Sequence, residues 1–113
     1  LIPNKGKNFQ DLYKGKEARR MDPVWDVLEF YDRLLFHIDN NQVDNALACR
    51  AFGEIFVYWY HIYFREGLRG TGWEREERMA QLYGWFEQQG GSERFKHWVH
   101  TAEKNYSELA SPL

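Results

Sequence analysis

Residues 51–64 read AFGEIFVYWYHIYF, and only Gly53, Glu54 and His61 interrupt the apolar run. A run of this kind admits three readings: a buried strand, a membrane span or a central helix. Val57 to Tyr63 is β-prone by composition. It is nevertheless embedded in a pattern that extends from about Gln42 to Arg65, far longer than an ordinary strand. The densest part, Ile55 to Phe64, holds a histidine and is too short to cross a bilayer. A helix about Gln42–Arg65, apolar nearly all round and enclosed by other helices, is the remaining reading.

The flanks agree. Asp22 before Pro23 places a cap and a first-turn proline at a helix start. Val24, Val27, Leu28, Tyr31, Leu35 and Ile38 then recur at three and four, one face of a helix about Pro23–Asp39. Asn40-Asn41 ends it, and Asn41 is placed to cap the next helix. The connection is so short that the two helices should pack antiparallel. Glu66–Gly72 (EGLRGTG) reads as a loop. Thr71 and Glu74 form a T-x-x-E capping box before a helix about Trp73–Gln89 with Met79, Leu82, Tyr83 and Phe86 inward. Gly90-Gly91 stops it, and Ser92 caps a last helix about Glu93–Leu109 with Phe95, Trp98, Val99, Ala102 and Tyr106 inward. Phe9–Arg20 is a short helix weakened by Gly15, at about 1 kcal/mol relative to alanine. The expected fold is all-α: a compact bundle of four to five helices around a central aromatic-rich helix. Residues 1–8 are expected to form a flexible arm, 9–109 one domain and 110–113 a tail.

The 113 residues carry 15 Lys and Arg against 17 Asp and Glu, a net charge of −2. No basic stripe is available for phosphate backbones, so nucleic acid is not an expected partner. The lone Cys49 sits among Ala46, Leu47, Ala48, Ala51 and Phe52 and reads as a small buried thiol. One cysteine and no secretory leader indicate a cytoplasmic setting. A place at the cytosolic face of the inner membrane is expected only if an anchor precedes Leu1.

Complete catalytic or cofactor sets are missing, and no cofactor is expected. His97 and His100, three apart on one helix, can supply two metal ligands, but a zinc site needs at least one more. The Glu-x-x-His pair of a di-iron bundle is absent. Gly67, Gly70 and Gly72 lack the Lys-Ser/Thr of a phosphate loop. Asp26, Glu29 and Asp32 are either a carboxylate cluster or a solvated face with a Glu29–Arg33 pair. Glu54 and His61, seven apart, share a face of an ideal helix and form a polar spot in its apolar surface. Aromatic residues make up 18% of the chain, more than one small core readily encloses. Trp25, Phe36, Trp59, Trp73 and Trp85 are therefore the candidate interface rings.

Three segments resemble a family. Leu28-Glu29-Phe30-Tyr31-Asp32, then Gly53 to Arg65 (GEIFVYWYHIYFR), then Leu82-Tyr83-Gly84-Trp85-Phe86-Glu87 look like bacterial helical domains of unknown function. In those an L-N-F-x-E helix precedes an aromatic-rich helix and an L-Y-x-x-F/W segment. The likeness covers about residues 24–89. Glu29 stands where the family carries Asn and Asp32 where it carries Glu, so the polar signature is matched only approximately. The resemblance implies a cytosolic helical domain, often preceded by membrane-spanning helices, and no activity. Taken together, the reading is a non-catalytic protein–protein interaction module, a bacterial or phage adaptor or inhibitor, whose partner is another protein or a second copy. The alternatives are the cytosolic domain of a small membrane protein and a metal protein or enzyme using His97 and His100.

Overall fold

A computed structural model of the chain describes residues 7–13 and 22–110. These residues form helices and turns without a strand: α1 (Phe9–Tyr13), α2 (Asp22–Asp39), α3 (Asn45–Trp59), α4 (Arg65–Leu68), α5 (Glu74–Gly90) and α6 (Ser92–Ala110). A π-helical turn, Tyr60–Phe64, joins α3 to α4 with right-handed helical dihedrals at both junctions. The three pieces form one continuous rod, so five rods make up the described fold. It is the expected all-α bundle around an aromatic-rich helix. Residues 1–6 of the expected 1–8 arm, the continuation of the first helix beyond Tyr13 and the last residues of the tail lie outside the described residues.

Local chemistry sets the ends. Asn41 adopts φ 54°, a conformation Asn tolerates. Gln42 N–H donates to His37 O (2.9 Å) and Asn41 N–H to Ile38 O (3.1 Å), the paired bonds of a Schellman terminus. With Asn41 so occupied, the cap of α3 falls to Asp44, whose Oδ1 accepts from Leu47 N–H (2.9 Å). The expected Asn41 cap is thus corrected, and α3 begins at Asn45. The expected 66–72 loop is shorter, because the rod continues to Leu68. Gly67 is helical there, and a Cβ on it would lie 2.1 Å from the Phe9 ring; the glycine lets α1 dock on α4. Asn8 caps α1 through Asp11 N–H (2.9 Å) and ties it to Arg69 O (3.2 Å). The expected Thr71/Glu74 box is replaced. Thr71 Oγ1 accepts from Trp73 N–H (3.2 Å), and Glu76 reaches back to Gly70 N–H (3.2 Å). Gly91, at φ 80°, ends α5, and Ser92 is already the first residue of α6.

The core is built from rings. Phe56, fully buried, meets Tyr31 of α2 at 4.8 Å between centroids, Phe86 of α5 at 5.2 Å and Tyr60 of its own rod at 5.9 Å. Tyr60 continues to Tyr83 (4.5 Å), and Tyr83 to Phe95 of α6 (5.0 Å). The contacts of Tyr31 with Phe52 O (3.3 Å) and the Phe56 ring are symmetric about the 40–44 turn, as an antiparallel α2–α3 pair requires. The backbone of α3 lies closest to α5 and α6, and that of α2 closest to α5; α2 reaches α3 through its rings. The enclosure of α3 is incomplete, because Leu47 and Ile55 are exposed.

Two glycines separate packing from propensity. Glycine in a helix interior costs about 0.5–1 kcal/mol relative to alanine. At Gly53 a Cβ would lie 2.5 Å from the buried Trp98 ring, whereas at Gly84 nothing lies within 4 Å. Gly53→Ala should destabilise the fold by about 1–3 kcal/mol through overpacking, and Gly84→Ala should stabilise it by about 0.5–1 kcal/mol. Urea unfolding of both variants beside the wild type reads the opposite signs.

Candidate functional site

Three of the five candidate interface rings converge. Trp25, one turn into α2, meets Trp73 edge-to-face with centroids 6.0 Å apart. Arg75 places its guanidinium carbon 4.7 Å from the centre of the Trp25 ring, a cation–π contact. Trp25 Nε1 donates to Glu29 Oε1 (3.0 Å). Glu29 therefore serves its own helix's tryptophan, and the expected pairing with Arg33 is absent among the described ion pairs. Beside these rings an open hollow of about 450 Å³ lies between α2 and the start of α5, lined by Asp32, Phe36, Trp73, Glu74, Arg75 and Arg78. Phe36 is 55% exposed.

The floor of the hollow is fixed by charge. Arg78 Nε donates to Asp32 Oδ1, and its Nη2 donates to Asp32 O (3.1 Å). Arg75 Nε lies 3.7 Å from Asp32 Oδ2. Asp32 is thus half-buried under two arginines instead of forming part of a solvated carboxylate face. Sequence spacing gives no sign of this, because Asp32 and Arg78 are 46 positions apart. The hollow offers apolar ring surface beside guanidinium N–H groups that Asp32 does not saturate, since each arginine carries five donors.

The other candidates lie elsewhere. Trp59 stacks on Tyr63 (4.8 Å) and Phe64 (6.2 Å) of the π turn. Trp85 packs edge-on against Phe86 (5.1 Å) and is half-buried. His97 and His100 are exposed on α6, and no group of three or more His, Cys, Asp or Glu suited to a metal is present among the described residues. Cys49 is buried; burial pushes its thiol up while Arg94 opposes, so it stays a thiol. Among the described residues no helix is long and apolar enough to cross a membrane.

The expected Glu54/His61 spot is taken apart. Glu54 is exposed, whereas His61 is 4% exposed. Seven α-helical residues return to nearly the same face, but His61 lies in the π turn, whose wider winding swings it inward. His61 Nε2 lies 2.8 Å from Tyr83 Oη, and Nδ1 has no partner among the described residues. Burial holds the imidazole below its ordinary range. Arg65 adds to that effect and Glu103 opposes it, while burial pushes the Tyr83 phenol up to about 12.

No protein family matches the chain, and no curated protein or solved structure does so.

The His61 geometry sets a pH dependence. Its folded pKa lies below the ordinary 6.5, so below that pH the unfolded chain binds a proton that the folded chain refuses. The stabilisation from the neutral ring is complete above about 6.5 and lost as pH falls through the folded value. The urea midpoint of the wild type should therefore drop more between pH 7.5 and pH 5.5 than that of His61→Phe. Equal drops would show that His61 does not titrate differentially.

Proposed function

We propose that this chain is a non-catalytic protein-interaction module that engages a partner protein through the α2–α5 hollow. The observation that carries this reading is the open hollow where Phe36 and Trp73 meet Arg75 and Arg78, with Trp25 packed against Trp73 and Arg75. Tryptophan and arginine are the residues most enriched where binding energy concentrates. Packed rings also lose little side-chain freedom on binding, because Trp73, Trp25 and Arg75 already hold one another in place. The partner would set an apolar side chain against Phe36 and Trp73 and a carbonyl or carboxylate against the guanidiniums. Binding to other macromolecules is less well served: the net charge of −2 gives no general attraction for nucleic acid.

Selection of a displayed peptide library against the folded chain tests this. Selected peptides should perturb the indole signals of Trp25 and Trp73 in NMR titrations. They should also lose about 30-fold or more in affinity to Trp73→Ala and to Phe36→Ala, as expected for central anchors worth about 2 kcal/mol. Peptides that bind both variants as tightly as the wild type would place the binding surface elsewhere.

A further inference from the structure

The outward face of α3 carries an apolar stripe that the intramolecular packing leaves open. Leu47 and Ile55 are each 54% exposed, Ala51 between them is exposed, and Tyr58 is half-buried. At about 100° per residue these four positions fall within an arc of about 80°. Cys49 and Phe56, on the opposite side of the helix, are buried. Single exposed apolar side chains are ordinary, but a contiguous helical stripe marks an interaction surface.

The charges beside the stripe specify what covers it. Arg50 and Glu54 are both exposed and both lie along the same border of the stripe. No ion pair to either is present among the described residues. In a two-fold antiparallel pair of helices, each border meets the same border of the other copy, and the numbering runs in opposite directions. With the axis at the level of Ala51 and Phe52, Leu47 lies over the second copy's Ile55 and Arg50 lies beside the second copy's Glu54. Each contact occurs twice. In a parallel pair this border would instead meet the opposite border of the second copy, so Arg50 and Glu54 would not face each other. Ala51 at the crossing allows close approach of the two axes.

We propose that the α3 stripe is a self-complementary interface through which two copies of this chain associate as an antiparallel dimer. One helix face gives a small contact, so the association is weak, with a Kd on the order of 10 μM. The interface lies on a different face from the α2–α5 hollow, so its test is independent of the partner reading.

Sedimentation equilibrium of the wild type, Arg50→Glu, Glu54→Arg, the doubly reversed chain and Ile55→Lys tests the proposal. The wild type should dimerise. Each single reversal places two pairs of like charges across the axis and should weaken the dimer by about tenfold. The doubly reversed chain should recover wild-type affinity, and an equimolar mixture of the two single variants should form a heterodimer in preference to either homodimer. Ile55→Lys should be monomeric. Circular dichroism identifies any variant that fails to fold, and the exposed charge reversals carry the test if Ile55→Lys does. A wild type that stays monomeric up to about 1 mM would overturn the proposal, as would a dimer indifferent to the single reversals.

Discussion

Phe56 is the contact through which the bundle holds together. Its ring sits among Tyr31, Tyr60, Phe64 and Phe86, and so links α2, the central rod and α5 at one point. Each aromatic pair adds about 0.5–1.5 kcal/mol beyond the area it buries. The larger effect is geometric. Rings packed edge-on or tilted set the separation between helices, and for this reason α2 meets α3 through side chains while its backbone runs nearer α5. The position of α2 in turn fixes where Trp25, Asp32 and Phe36 stand relative to Trp73, Arg75 and Arg78.

The π turn is the second constraint. It places four consecutive residues, His61 to Phe64, in the interior, which a helix with one solvent face does not do. His61 is thereby turned onto Tyr83, and Tyr63 stacks under Trp59. The same change of phase divides the rod. Before the turn, α3 keeps an outward side with Leu47, Ala51, Ile55 and Tyr58; after it, the rod is buried enough to receive α1, with Phe9 against Gly67. Hydrogen-bonded helix can thus be maintained through a very apolar segment while its exposed apolar side chains are confined to α3.

The two surfaces proposed for binding differ in construction. The α2–α5 hollow joins residues from two helices and is held by Asp32 between two arginines. Its shape therefore depends on the tertiary fold. The α3 stripe belongs to one helix and follows from its periodicity. The first suits a partner with an apolar anchor and an acceptor group, and the second suits its own copy, because its charges are arranged to satisfy themselves under a two-fold axis.

Apolar periodicity, a proline at one helix start and asparagine or glycine at the stops were enough to determine an all-α chain, the extent of α2, α5 and α6, and most inward positions, including Leu28, Tyr31, Met79, Leu82, Phe86, Phe95 and Trp98. These signals act within a few residues, and backbone hydrogen bonding translates them directly into helices. Which cap acts at α3 needed the structure, because Asn41 and Asp44 are both competent and the local left-handed turn uses Asn41; the tertiary packing decided that α3 lies nearest α5 and α6. It also decided the π turn, which no local residue signals and which separates Glu54 from His61. The meeting of Trp25, Phe36 and Trp73, and of Asp32 with Arg78, was equally beyond reach: helical spacing gives the direction a side chain takes from its own axis, whereas these contacts depend on how two axes are set against each other by the rings packed between them.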